Sequence, residues 1–555
     1  MNIWDRLARC APGIAVAFAA GAALAATQSL TILHDNDIHG HLRAFCYVEV
    51  AKGPDEHCDI GGAARRATLV KQLRAEAKAP TLLIDSGDTT TRGPLATQYE
   101  GVDEIAAMNA IGYDLAAVGN NEFKLKDAAD IHDAAGAQAD LARLVRQSHF
   151  PWICANATLA DGSPLPGVKP FIVRRIGPLR VAFLGLTTQR SQGYPQTKGL
   201  KFTDPVEAAN LWVPKARAEA DVVIVVSHIG VFDDRRVARG TRGIDAIVGG
   251  DSHTYLYQLA EEKDLDGVVV PIVQDGEFGV RLGVFNLTFE GDRAHGWRLT
   301  HYDDQLQAID AALKPDPAVA ALVERYALPL DVAVGRLTAI GATPAERNAL
   351  TAADLAAAFK LAAGTDIGIQ PEGDLFESFR THDVTRFQVH AIIPFHDNVW
   401  KAELAGAKLK DLLAKPSGLG GPMHATIAAA DVDPAKTYSV ATTDFVAQLA
   451  LGGGTDTGID ARAATEAWLK AGAPGEAAPT AAALSGLSAR FVCAEDLPND
   501  AARQRAQHDF YDAYAQAEPA APLAEVWAYR HVLLTTHGCK QTPPPRVRLV
   551  TGMSF

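Results

Sequence analysis

The chain has 555 residues, of which 48% are hydrophobic and 21% are charged, and its formal net charge is -14 at pH 7. This length exceeds what one hydrophobic core usually supports, so we expect two or three folded domains. The acidic balance argues against general binding to nucleic-acid polymers or to anionic membranes.

Residues 1–25 have the pattern of a secretory signal peptide. Arg6 and Arg9 precede a short apolar stretch, and Ala23-Leu24-Ala25 forms a small-residue cleavage pattern. The alternative is an uncleaved membrane anchor, which the shortness of the apolar run disfavours. We therefore predict cleavage near Ala25, a periplasmic or secreted product, and no membrane span in the mature chain.

Five cysteines follow this segment, an odd number for a chain expected in an oxidising compartment. We predict one disulfide between Cys46 and Cys58 and another between Cys493 and Cys539. Cys154 lies in the apolar segment PWICANA, where a buried thiol is expected. Sequence alone does not prove these pairs, and other connectivities stay open.

Between residues 28 and 310, short β-rich runs alternate with helical patterns. Helices are predicted near Gly61 to Ala77, Val102 to Ile111 and Pro205 to Ala220, and apolar runs such as TLLID and VVIVV separate them. This alternation predicts a layered α/β architecture, with mixed rather than purely parallel sheets.

Residues 311–336 are predicted to form a helical connector entered through prolines. A second α/β domain is predicted over residues 337–555. Its expected elements include helices at Ala352 to Ala362 and Ala407 to Leu413, and a strand at Ala391 to Phe395 (AIIPF).

Five apolar runs of the first domain end in side chains that can bind metal ions. In chain order, they carry Asp37 and His39; Asp88; Asn120 and Asn121; His228; and Asp251 and His253. The carboxyl ends of strands in open α/β sheets line the crevice where ligands bind, so five such ends predict one site. If the backbone is extended there, Asp37 with His39, and Asp251 with His253, point the same way and each pair forms a two-pronged chelate.

These motifs resemble those of the 5'-nucleotidase and 2',3'-cyclic-nucleotide phosphodiesterase family of calcineurin-like metallophosphoesterases. That family carries Asp-x-His, Gly-Asp, Gly-Asn-His-Glu, a later His and Gly-Gly-His-x-His in this order. The resemblance implies an N-terminal four-layer αββα sandwich, a helical connector and a C-terminal α/β substrate domain. It also implies two divalent metal ions, a first held by Asp37, His39, Asp88 and His253 and a second held by Asp88, Asn120, His228 and Asp251, with Asp88 bridging.

The chain departs from the family pattern beside these ligands. Asn121 replaces the histidine that assists the departing oxygen, and Lys124 replaces the aspartate that orients it. Asparagine cannot transfer a proton, so general-acid help of about 10²- to 10⁴-fold is expected to be missing. Lys124 could still stabilise a leaving oxygen electrostatically. The resemblance therefore favours substrates whose leaving group needs no acid, such as anhydrides and aryl or enol esters.

The aspartate at position 251 stands where the family has a histidine. Mn, Zn or Mg all suit this ligand set, and the extra carboxylate favours harder ions, Mn above all.

In the second domain, the resemblance implies a nucleobase between two aromatic rings and a phosphate near arginines. Phe395 matches the first ring, and Asp397 aligns with the usual asparagine. The loop Gly452–Thr457 lacks the second ring, which forfeits roughly 1 to 3 kcal/mol of base stacking. Arg380 is the candidate phosphate ligand and Arg347 a weaker one, the alternative for both being an ordinary solvated arginine.

We thus predict an exported, monomeric phosphohydrolase that acts on a nucleotide or a related phosphate ester or anhydride. One alternative is a catalytically impaired relative that binds its ligand in the periplasm. Another is an esterase of a different oxyanion, such as a sulfur ester.

Overall fold

A computed structural model describes residues 26–47, 56–124, 134–292, 295–395, 397–414 and 421–473. The predicted signal peptide and the predicted Cys493–Cys539 pair lie outside these residues, as does all of the segment after residue 473 that the sequence assigns to the second domain.

Two mixed β-sheets form the centre of the first half of the chain. Its strands are β1 (Ala26–Asp35), β2 (Phe45–Tyr47), β3 (His57–Ile60), β4 (Thr81–Asp85), β5 (Leu115–Ala117), β6 (Trp152–Ile153), β7 (Ala157–Leu159), β8 (Val168–Lys169), β9 (Phe171–Ile176), β10 (Leu179–Thr187), β11 (Leu200–Phe202), β12 (Val222–His228), β13 (Ala246–Val248), β14 (Ala260–Lys263), β15 (Val269–Val273), β16 (Arg281–Asp292) and β17 (Gly296–Ala308). Among the described residues, one sheet has the order β17-β16-β1-β4-β5-β6-β8 and the other β14-β15-β13-β12-β10-β9.

The helices of this half are α1 (Ala63–Glu76), α2 (Ala96–Tyr99), α3 (Val102–Ile111), α4 (Ala134–Gln147), α5 (Pro205–Glu219), α6 (Val231–Gly240) and α7 (Pro317–Ala327). One apolar cluster packs α1, α3, α4 and α7 on the first sheet, and another packs α5 and α6 on the second. A third cluster fills the space between the two sheets. These layers form the predicted αββα sandwich.

The burial of the strands shows that the two sheets lie in the interior of the first half. Every residue of β12, VVIVVSH, is buried, as expected for a strand covered on both faces. β12 pairs in parallel with both β10 and β13, so their carboxyl ends meet at one edge. β1 pairs in parallel with β4, and β4 with β5, which brings the polar ends of the other sheet together in the same way.

The second half contains β18 (Ala333–Arg336), α8 (Pro344–Ala363), β19 (Ile367–Pro371), β20 (Asp383–Thr385), α9 (Arg386–Ile392), β21 (Asn398–Ala405), α10 (Gly406–Ala414), β22 (Met423–Ala425), β23 (Thr437–Thr443), α11 (Asp444–Val446), β24 (Thr455–Asp460) and α12 (Ala461–Lys470). In the described part of this half, five strands form a sheet in the order β22-β19-β23-β21-β24. The second half is therefore α/β, as predicted.

The helix predictions agree with the structure in the first half and, for α10, in the second half to within one residue at each end. The bounds of α3 are those predicted, whereas α8 begins at Pro344, eight residues before the predicted start. Thr343 and Glu346 form a capping box that starts this helix.

Two predicted elements were wrong. Ala391 to Phe395 does not form a strand, because Thr385 and Gln388 form a capping box that starts α9, and Pro394 follows the helix end. The connector is helical only over α7, since Ala333–Arg336 forms β18 and pairs with β20 of the second half.

Cys46 and Cys58 form a disulfide, as predicted, and Cys154 is a buried free thiol. Within the described ranges, the structure contains no helix with the length and apolar character needed to cross a bilayer.

Candidate metal centre

Five of the seven predicted ligands lie in left-handed turns just beyond the strand ends, whereas His228 ends strand β12 and Asn120 has right-handed helical backbone. The φ angles are 52° at Asp37, 48° at His39, 57° at Asp88, 78° at Asp251 and 51° at His253. Such angles are uncommon for residues other than glycine and persist where the surroundings fix them, often at functional sites.

Backbone hydrogen bonds between the turns hold this conformation. The amide of Asp37 donates to the carbonyl of Gly87 at 2.9 Å, and the amide of His39 donates to the carbonyl of Asp88 at 3.0 Å. The chain also passes so close that a Cβ added at Gly119 would lie 2.2 Å from Asp88 Oδ1. The turns therefore stabilise each other and place the ligands from several strands in one crevice.

A first group of possible metal ligands consists of Asp37, His39 and His253, all buried. His253 Nε2 lies 3.1 Å from Asp37 Oδ1 and 3.2 Å from His39 Nε2. On the far side of its ring, His253 Nδ1 lies 2.5 Å from Glu277 Oε2, which orients Nε2 toward the cluster.

A second group consists of Asp37, Asp88 and His228. His228 Nε2 lies 3.2 Å from Asp88 Oδ2 and 3.2 Å from Asn120 Oδ1. Asp251 Oδ1 lies 3.7 Å from the same nitrogen. Asp251 and His253 thus extend toward different groups, and the two-pronged chelate predicted for them does not form.

Asp37 belongs to both groups, whereas the sequence resemblance assigned the bridging role to Asp88. Asp88 Oδ2 also lies between them, 3.2 Å from His228 Nε2 and 3.8 Å from His39 Nε2. The seven predicted ligands are all brought to this crevice, and either carboxylate is placed to serve both groups.

The residues present fit divalent cations. Three imidazole nitrogens surround Asp37 Oδ1, with Nε2 of His253, His39 and His228 at 3.1, 3.6 and 3.8 Å. His228 Nδ1 donates to the carbonyl of Ser86 at 2.8 Å, so its Nε2 presents a lone pair to the cluster when the ring is neutral. Buried imidazole and carboxylate donors converging on one volume are the ligands that Zn, Mn and Mg take.

The carboxylates of the cluster stabilise positive charge on two of its three histidines. Burial lowers the pKa of His253, but the carboxylates of Asp37 and Glu277 outweigh it and raise the pKa to about 9. The pKa of His228 is also raised well above its usual value, because Asp88 and Asp37 outweigh burial. Burial and the nearby Arg92 guanidinium instead lower the pKa of His39 to about 3.

Asn121 and Lys124, the predicted catalytic substitutes, have specific contacts in the structure. The amide of Asn121 donates to Asp88 Oδ1 at 2.7 Å, and its side-chain Nδ2 donates to Asp88 Oδ2. The ammonium of Lys124 lies 3.9 Å from the ring centroid of Tyr194. Asn121 thus holds the predicted ligand Asp88, and Lys124 packs on the segment that follows β10.

Glu122, between these two residues, supports the site from behind. Its carboxylate accepts hydrogen bonds from the amides of Asp88, Thr90 and Gly119 at 2.9, 3.2 and 2.8 Å. Burial and the charge of Asp88 raise the pKa of Glu122 to about 7. The glutamate therefore fixes the turn that carries Asp88.

Sequence reasoning missed two arginines at the cluster. Arg92 is 4% exposed, and its Nη1 lies 3.3 Å from His39 Nε2. Arg190 Nη2 lies 2.6 Å from Asp251 Oδ2. Neither residue has ligand spacing in the sequence; the one available signal was that each follows a polar strand end within a few residues.

The predicted substrate residues lie in the second half. Phe395 packs edge-on against Phe376, with ring centroids 5.3 Å apart, and both line a small pocket with Asp397 and Gln370. Burial raises the pKa of Asp397 well above its usual range, and the neighbouring Asp444 raises it further.

Arg380 does not face open solvent. Its Nη1 lies 2.9 Å from Glu56 Oε1, and Arg347 binds the other oxygen of the same carboxylate. Glu56 precedes the strand that carries Cys58, so this ion pair joins the two halves of the chain.

His41, two residues after His39, packs on Phe278 with ring centroids 4.2 Å apart. Two further histidines, His149 and His382, are exposed.

Comparison with known families agrees with this architecture. The calcineurin-like phosphoesterase family matches residues 30–255, and the 5'-nucleotidase C-terminal domain matches residues 334–426. The chain therefore contains a calcineurin-like phosphoesterase domain followed by a 5'-nucleotidase C-terminal domain. The family resemblance predicted from the motifs is confirmed.

Relatives of this phosphoesterase include a snake venom 5'-nucleotidase from Gloydius brevicauda, 31% identical over 50% of this chain and 48% of the relative. The 5'-nucleotidase of Bos taurus is 29% identical over 54% of this chain and 53% of its own length. The chain thus spans about half the length of the curated relatives it matches.

The fold is also that of a solved structure. A 5'-nucleotidase precursor from Thermus thermophilus superposes with a TM-score of 0.64 at 22% identity, covering 81% of this chain and 98% of the other.

Proposed function

We propose that the protein is an exported phosphohydrolase that uses two divalent metal ions, Mn preferred, to hydrolyse nucleotides or related phosphate esters and anhydrides. The observation that carries this proposal is the sharing of Asp37 Oδ1 by three imidazole nitrogens within 3.8 Å. We further propose that it acts as a monomer in the periplasm or outside the cell; the snake venom 5'-nucleotidase among its relatives supports export.

Two ligand groups are proposed, and Asp37 and Asp88 both lie close enough to join them. His39 and His253 would complete the first, and His228, Asn120 and Asp251 the second. When bound, two divalent ions would supply Lewis acidity toward the phosphoryl oxygens and lower the pKa of an attacking water.

The protein's own groups would position this chemistry and limit its scope. Asn121 is committed to Asp88 through two hydrogen bonds, and an amide cannot give a proton to a departing alkoxide. The ammonium of Lys124 packs on the ring of Tyr194. The site therefore suits leaving groups that depart as stable anions, such as a phosphate or a phenolate.

The test is a leaving-group series. The Mn-loaded protein would be assayed on phosphate esters of falling leaving-group pKa, including AMP and an aryl phosphate, with Asp88→Asn as the inactive control. We expect turnover to rise steeply as the leaving group improves and to disappear in the control. Rates equal to the control across the whole series, together with stoichiometric binding of the ligand, would instead identify a binding protein.

A sulfur ester belongs in the same series, because a dinuclear site can act on other tetrahedral oxyanions. Release of sulfate without release of phosphate would replace the phosphate ester as the proposed substrate.

A further inference from the structure

Arg190 lies at the second ligand group and shares a carboxylate with it. Its Nη2 is 2.6 Å from Asp251 Oδ2, while Asp251 Oδ1 is 3.7 Å from His228 Nε2. The Asp251 side chain is 1% exposed and the Arg190 side chain 24% exposed. One buried carboxylate therefore faces the metal ligands with one oxygen and a partly exposed guanidinium with the other.

The two sides of this carboxylate are in competition. A cation held at Oδ1 reduces the attraction of Oδ2 for the guanidinium and repels it, and both effects are large where water is excluded. A further contact of Arg190, from Nε to Thr188 Oγ1 at 3.1 Å, is neutral and anchors the base of the guanidinium. This contact holds Nε, while Nη2 is the atom that contacts Asp251.

We propose that Arg190 binds the phosphoryl anion of the substrate and that it competes with the second metal ion for Asp251. Metal binding at Asp251 releases the Arg190 guanidinium, which then pairs with two oxygens of a tetrahedral anion, the geometry that guanidinium groups favour. This inference rests on the proposed function, because it requires a metal-binding phosphohydrolase site.

The competition has a thermodynamic signature. Arg190 opposes metal binding in the free protein and supports anion binding in the metal-loaded protein. Metal and anion therefore strengthen each other's binding by the same factor, and Arg190 carries that coupling. A residue that only stabilises the fold would weaken both ligands when removed.

The experiment is calorimetric titration of Mn, and then of inorganic phosphate into the Mn-loaded protein, for the wild type, Arg190→Gln and Arg190→Lys. We expect Arg190→Gln to bind Mn about tenfold more tightly and phosphate about tenfold more weakly, a typical size for such coupling. Arg190→Lys should lie between the two for both ligands, because it keeps the charge and loses the paired donors.

Arg180→Gln is the matched control, since Arg180 pairs with Asp221 at 2.7 Å in the same domain, at the opposite end of β10. It should leave both affinities unchanged. Equal weakening of Mn and phosphate in Arg190→Gln, or no change in either, would overturn the assignment. If the Arg190 assignment fails but the wild type binds Mn and phosphate, the proposed function remains intact. If the wild type binds no Mn, both the assignment and the proposed function are overturned.

Discussion

The metal centre of the first half and the substrate pocket of the second half differ in how strongly the fold determines them. The candidate metal centre consists of short turns at the ends of buried parallel strands, where backbone hydrogen bonds hold Asp37, His39 and Asp88, and the Asp251 amide donates to the Asp37 carboxylate. The pocket around Phe395 is lined by residues of α8, β19, β23 and the segment between α9 and β21, beside a carboxylate pair with raised pKa values.

The candidate metal centre concerns the reaction, and the candidate pocket concerns which substrate is bound. The first half places every predicted ligand in one crevice, whatever substrate is bound. In the second half, the phosphate-ligand candidates Arg347 and Arg380 bind Glu56, and Asp397 replaces the expected asparagine. Under the proposed function, the reaction class and the leaving groups that can depart follow from the first half, while binding of a nucleobase depends on the second.

The largest effect should come from Asp37→Asn. Because Asp37 Oδ1 is common to both ligand groups, we expect the affinity for Mn to fall at least about 100-fold at both sites, the scale at which changes near a metal affect binding. Metal content after dialysis measures this. Asp161→Asn, an exposed carboxylate bonded to Ser163, is the control. Two retained Mn ions in Asp37→Asn would show that the groups do not share this ligand.

Asn121→His tests whether the missing proton donor at this position limits turnover of alkyl phosphates. A histidine there supplies a proton donor, so turnover of alkyl phosphates should rise about 100-fold while that of aryl phosphates changes little. The ratio of kcat/KM for the two substrates is the measurement, and Asn210→His on the exposed face of α5 is the control. A parallel rise for both substrates would point to a changed metal site instead.

Phe395→Leu tests the second half at similar side-chain volume. If the ring stacks on a base, losing it should raise KM for AMP about tenfold, since base stacking is worth roughly 1 to 3 kcal/mol. KM for an aryl phosphate without a base should not change by this amount, and Phe395→Tyr should restore the value for AMP. Equal changes for both substrates would remove Phe395 from the base-binding site.

The smallest effect concerns Asp354 on α8. Burial raises its pKa to about 7, so the folded state holds the proton more tightly than the unfolded state. Its cost to stability is absent near pH 4, grows as the pH rises toward 7 and is constant above it. Asp354→Asn should therefore stabilise the protein by about 1 to 2 kcal/mol at pH 8 and leave it unchanged at pH 4, as measured by thermal unfolding.

A gain in stability for Asp354→Asn that is the same at both pH values would mean that the carboxyl is not the group that titrates. Glu219→Gln at the end of α5, where the side chain is exposed, provides the comparison.

Sequence reasoning predicted the metal centre better than the residues around it. Strand ends are readable because apolar runs stop at polar residues, and the parallel pairing of β10, β12 and β13 then brings those ends together. The conformation of the turns was not readable. Asp251 and His253 were expected to align in extended backbone, yet their φ angles of 78° and 51° send them to different groups.

Long-range partners were also beyond the sequence. Arg190 reaches Asp251 across 61 positions, and Glu56 reaches Arg347 across 291, with no pattern linking them. In the second half, the apolar residues of AIIPF suggested a strand. The capping box at Thr385 instead starts helix α9, which includes the first residues of this segment.

The left-handed turns also restrict which substitutions the centre can accept over generations. Apart from glycine, the residues that tolerate positive φ most readily are asparagine, aspartate and histidine, whereas β-branched residues are strongly disfavoured. These three residues are also good oxygen or nitrogen donors for hard and borderline cations. The backbone therefore favours almost the same few residue types that metal coordination requires at Asp37, His39, Asp88, Asp251 and His253. A change at one of these positions, such as an aspartate in place of a histidine, can remain a ligand because the turn itself removes most of the alternatives.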